Sequence, residues 1–163
     1  MRTALIAAAF ILSTLAGPPA MAQSQTLADQ ETRNRAVIQT AFDAWSAATG
    51  GPFDLLADDA RWTIVGRSDA AGAYGSRAEF IDKVIAPFNA RMVAGIRPTI
   101  RRMYADGDTV IVFFDASGQA TDGVAYDNTY AWFMRLEDGR VVEVSAFFDS
   151  LEFNDLWRRV TPD

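Results

Sequence analysis

Residues 126–144 read YDNTYAWFMRLEDGRVVEV. Apolar and polar side chains alternate up to Leu136, and a second alternating run begins at Val141. Between them lies Asp138-Gly139, a pair suited to the positive φ angles of a two-residue hairpin turn. Period-two alternation on both sides of such a turn is the pattern of an antiparallel hairpin. The same punctuation recurs upstream. Asp106-Gly107 separates the runs 97–105 and 109–117, and Asp122-Gly123 precedes the run 124–136. The C-terminal half therefore reads as four strands in a meander, closed by a short helix over 151–160.

Upstream the period changes. Val37, Ile38, Ala41, Phe42 and Trp45 recur at three- and four-residue spacing, which predicts a helix from about Asp29 to Ala48, stopped by Gly50-Gly51-Pro52. Residues 52–57 read as a short helical turn and 61–65 as a strand. Residues 69–75 read as a loop. Ser76 with Glu79 forms a capping box that opens a second helix, with Phe80, Ile81, Val84, Ile85, Phe88 and Met92 on its apolar face. Helices first and strands later predict an α+β domain, with helices packed on one face of the sheet.

The N-terminus has a different character. Arg2, the apolar run 4–12 and Ala20-Met21-Ala22 have the order of a secretory signal peptide. The run is too short to span a bilayer, which takes about 20 residues. The expected organisation is a signal peptide over 1–22, a flexible lead-in over 23–29 and one domain over 30–160. The expected location is secreted or periplasmic, with no membrane attachment after cleavage.

The chain carries a net charge of −6, and its only internal basic cluster is Arg101-Arg102. That balance argues against nucleic-acid binding. There is no cysteine and no histidine. Disulfides, His- or Cys-ligated zinc, Cys–His nucleophiles and Ser–His–Asp triads are therefore excluded. Asp58-Asp59 and Glu137-Asp138 read as solvated turn residues, and 72–75 is too short for a phosphate loop. No metal and no cofactor are expected.

Four segments carry a resemblance. LADDARWTIVG (56–66), GAYGSRAEF (72–80), the hairpin 126–144 and FFD (147–149) resemble, in order and spacing, the SnoaL-like and ketosteroid-isomerase-like domains of the nuclear transport factor 2-like superfamily. The resemblance covers about Gln30 to Val160. It implies a cone: a curved antiparallel sheet wrapped by N-terminal helices and enclosing an apolar cavity. It also implies a homodimer through the outer sheet face.

The family hosts enzymes and binding modules, so individual residues must decide function. The positions matching the steroid-isomerase base, tyrosine and aspartate hold Ile64, Phe42 and Trp132. None can move a proton, which argues against steroid isomerisation. The position matching the acid–base aspartate of SnoaL-like cyclases holds Asp149. Asp149 is equally well suited to cap the last helix, with Glu152 three residues on. Asn128, Tyr130 and Trp132 share one strand face with Tyr126 and suit the polar end of an apolar ligand. Trp62, Tyr74 and Phe147 complete the candidate ligand-binding set. Periodicity does not tell which sheet face looks inward. The expected function is binding of a small apolar or amphipathic molecule, with isomerase, cyclase or dehydratase chemistry through Asp149. The alternative is a non-catalytic binding or dimeric interaction module.

Overall fold

The computed structural model describes residues 20–162, with side chains from Ser24 onward. The signal-peptide span lies, through residue 19, outside the described residues. Helix α1 (Ala20–Ser46) starts earlier than its apolar pattern. Residues 23–29, expected as a lead-in, continue the helix, and 24–29 are exposed. The buried face is the expected one, Ile38, Ala41 and Phe42. Polar ties pin α1 across the sheet. Gly107 N donates to Glu31 Oε1 at 2.9 Å, and Ser46 Oγ donates to the Pro98 carbonyl at 2.8 Å.

A 3-10 turn (Pro52–Leu55) leads into β1 (Leu56–Ile64). That strand is longer than the expected 61–65. Leu56 and Ala60 point into the core, and a bulge lets the strand reach Val141 of its neighbour. The short edge strand β2 (Gly72–Tyr74) lies where a loop was expected. Ser76 then caps α2 (77–89) by accepting from Glu79 N at 3.1 Å. Glu79 reaches back to Gly75 N at 2.7 Å. Residues Ile81–Ile85 form a π-helical turn. Pro87 explains it, because its ring crowds the carbonyl four residues back and it has no N–H to donate.

Strands β3 (Arg97–Asp106), β4 (Thr109–Gln119), β5 (Ala125–Glu137) and β6 (Arg140–Phe148) form the expected meander. Asp138 and Gly139 have φ of 48° and 75°, the positive pair a type I′ hairpin requires. The sheet order is β2-β1-β6-β5-β4-β3, antiparallel except for the parallel pair β1 and β6. Bulges at Leu56/Arg61, Ile100/Arg102 and Arg135/Leu136 bend the strands and curve the sheet into a cone. The concave face carries the core. Val110, Val112 and Phe114 of β4 are buried, as are Trp132, Met134 and Leu136 of β5.

Helix α3 (Ser150–Arg159) buries Phe153 and Leu156. It is held to the β1–β2 loop by a bidentate Arg158–Asp69 pair at 2.6 and 2.7 Å. Among the described residues no helix is long and apolar enough to cross a membrane.

Candidate functional site

The sheet curves away from α2 and leaves a cavity of about 430 Å³. Its wall is built of rings. Trp62 of β1 lies on Phe80 of α2, with centroids 4.1 Å apart and planes 11° from parallel. Trp132 of β5 meets Trp62 edge-on at 5.0 Å and stacks on Trp45 of α1 at 5.7 Å. Tyr130 and Phe148 stand together at 5.6 Å, and Phe88 and Phe153 also line the wall.

The mouth is the loop from Asn89 to Arg97. Gly118 of β4 lets that loop sit close, since a Cβ there would come within 2.6 Å of the Gly95 carbonyl. Arg97 is exposed at the rim, where its Nη1 donates to the Ala94 and Ile96 carbonyls at 3.2 Å each.

Polar groups on the wall are few. Trp62 Nε1 is buried without a hydrogen-bond partner. The Tyr130 hydroxyl lies 2.8 Å from the Tyr126 hydroxyl, which accepts from Asn128 Nδ2 at 2.9 Å. Burial pushes the Tyr126 phenol up to about 12, despite hydrogen bonds that favour its anion. Burial also holds Tyr130 well above the usual phenol range. Both are neutral hydroxyls near pH 7. No aspartate or glutamate lines this cavity among the described residues. These residues also contain no cluster of three or more acidic groups able to hold a metal ion.

The sequence candidates fall in different places. Trp62, Tyr130 and Trp132 lie together on the wall, and Ile64 lies there too. Phe42 is in the core, 4.9 Å from Phe114. Tyr74 packs behind Phe80 at 5.6 Å and donates to the Ala70 carbonyl at 2.8 Å, off the cavity wall. Burial raises its phenol above the ordinary range. Asn128 is buried and lines a second, polar groove with Asp115, Asp127, Asp149 and Glu152.

Phe147 is placed differently from its sequence assignment. It projects from the convex face, 54% exposed, while Phe148 takes the inward place. Pairing of Ala131 with Phe147 and Tyr130 with Phe148 sets that parity. Asp149 is exposed, caps α3 by accepting from Leu151 N at 2.9 Å, and does not line the main cavity. Asn89, Arg97 and Phe153 join the site without a sequence signal of their own. Nothing in their local pattern separates a cavity wall from an ordinary core edge.

The model of the SnoaL-like domain family matches residues 33–144. No curated protein matches the chain. Solved structures do. Bal32a, from a soil-derived mobile gene cassette, aligns over 79% of this chain and 99% of its own, at 17% identity and a TM-score of 0.66. A candidate SnoaL-like polyketide cyclase from Jannaschia sp. CCS1 aligns over 80% and 95%, at 19% identity and 0.64. TerC, co-crystallised with polyporic acid, aligns over 77% and 98%, at 18% identity and 0.62. At these identities the likeness is one of fold, the cone of the nuclear transport factor 2-like proteins.

Proposed function

Since this chain belongs to the SnoaL-like domain family, we propose that it binds a small, flat, largely apolar molecule inside the cone, without acid–base chemistry from Asp149. One observation carries this reading: an aromatic-walled cavity of about 430 Å³ with no carboxylate among its described lining residues. That volume lies within the range of small-molecule sites, roughly 300–1,000 Å³. A general acid or base must come within hydrogen-bond reach of the atom it serves. Asp149 is instead exposed and engaged with Leu151 N. Co-crystallisation of TerC with polyporic acid supports a ligand-binding use of the same fold.

Native mass spectrometry of the purified protein tests the reading. The expected result is a retained small molecule that leaves on unfolding. Protein that purifies empty and takes up no fluorene, a flat apolar probe, overturns it.

The order of residues 1–22 supports a proposal of export with cleavage after Ala22. N-terminal sequencing of periplasmic protein from a bacterial host checks this, and a product still starting at Met1 overturns it.

A further inference from the structure

Asn128 has no hydrogen-bonding capacity left over. Its Nδ2 donates to the Tyr126 hydroxyl at 2.9 Å and to the Asp149 carbonyl at 3.0 Å. Its Oδ1 accepts from Thr129 N at 2.7 Å and from Asp149 N at 3.1 Å. A side-chain amide offers two donor hydrogens and two acceptor lone pairs. Turning the amide over would set its N–H groups against two backbone N–H groups. Its orientation is therefore fixed by the backbone of β5 and the start of α3.

That orientation makes the Tyr126 oxygen an acceptor, and the bond from there to Tyr130 can run either way. The Tyr126 oxygen accepts from Asn128, and the Tyr130 oxygen is its other partner, 2.8 Å away. With Tyr126 donating to Tyr130, the unspent proton is that of Tyr130, a residue that lines the cavity. The reverse order strands the Tyr126 proton in a buried place off that wall. A buried donor without an acceptor is costly, and only the first order lets a ligand supply the acceptor.

Resting on the cavity-binding reading above, we infer that the ligand carries a neutral carbonyl oxygen that accepts from the Tyr130 hydroxyl. Tyr126 and Asn128 act as positioning residues for that donor. A buried anion would need a paired cation. Among the described lining residues the one arginine, Arg97, is exposed at the rim and turned to loop carbonyls. The raised ionisation ranges of Tyr126 and Tyr130 keep both as donors through neutral and mildly alkaline pH.

The test uses two flat probes of nearly the same shape, fluorenone and fluorene, which differ by one carbonyl oxygen. Equilibrium dialysis is expected to show wild type binding fluorenone about tenfold more tightly than fluorene. Tyr130→Phe should abolish that difference, bringing the ratio of the two affinities to about one. The carbonyl stretch of fluorenone bound to wild type should fall below its value in an apolar solvent, a readout that needs no variant. Equal binding of both probes with an unshifted stretch overturns the inference and leaves the cavity reading standing. A preference that survives in Tyr130→Phe overturns the assignment to this hydroxyl. Binding of neither probe overturns the cavity reading and the inference with it.

Discussion

The indole of Trp62 lies flat on the ring of Phe80, centroids 4.1 Å apart and planes 11° from parallel. This contact joins the first strand to the second helix and forms one wall of the cavity. Both rings are nearly fully buried. Phe80→Ala should therefore cost about 3–5 kcal/mol of stability. Trp62→Phe should cost less than ring removal, because it keeps a flat ring against Phe80 and deletes an indole N–H that has no partner. Urea unfolding of both variants checks the order. A Trp62→Phe variant as unstable as Phe80→Ala would mean that the N–H finds a partner.

The buried phenols set an alkaline limit. Burial lifts Tyr126 to about 12 and Tyr130 well above its ordinary value. The unfolded chain loses those protons near pH 10, and the folded chain keeps them. Their contribution is full below about pH 10 and is lost as pH rises toward about 12. Urea midpoints for wild type should fall steeply across that window. The double variant Tyr126→Phe, Tyr130→Phe should show a shallower fall, and equal slopes would contradict the buried placement.

What the sequence made legible is what local chemistry controls. Asp138-Gly139 reads as a hairpin because few other pairs tolerate φ of 48° and 75° in succession. Ser76 and Glu79 read as a helix start for similar reasons. Tyr126, Asn128, Tyr130 and Trp132 share a face because alternation along a strand requires it. Which face looks inward is set by pairing across strands, so Phe147 reads as a site residue although Phe148 holds that place. The length of β1 escapes for the same reason, since residues 56–60 join the sheet through a parallel neighbour 80 or more positions away. Arg97 and Asn89 reach the mouth only because Gly118 lets a distant loop settle against β4.

The convex face carries its own pattern. Phe113, Phe133 and Phe147 are exposed, at 36%, 44% and 54%. Register places Phe113, Ala131 and Phe147 in one row across β4, β5 and β6, with Ile111, Phe133 and Ser145 in the next. An exposed aromatic row of this kind is a candidate protein contact. The expected assembly is a homodimer through this face. Light scattering should give twice the protomer mass at micromolar concentration. Phe133→Glu with Phe147→Glu should give the protomer mass with a cooperative melt that no longer depends on protein concentration, and a wild-type monomer would refute the assembly.

Asp149 separates the binding reading from the acid–base reading. Its carboxylate accepts from Leu151 N at 2.9 Å, and its own N–H and carbonyl are bound by Asn128. If capping is its whole role, Asp149→Asn should be nearly neutral, because Asn caps about as well as Asp. Asp149→Ala should cost roughly 0.5–2 kcal/mol. Turnover of the co-purifying molecule, should wild type show any, should survive in the Asn variant. If the carboxylate moves a proton instead, Asn should leave stability in place and lower turnover by about 10²-fold or more. Thermal melts of both variants, with a turnover assay on the co-purifying molecule, decide between the two. A stable, fully folded Asp149→Asn protein that has lost turnover would return this domain to the enzymes. Melts that follow the cap, with retention of the molecule intact, would leave the cavity as a place to hold a ligand.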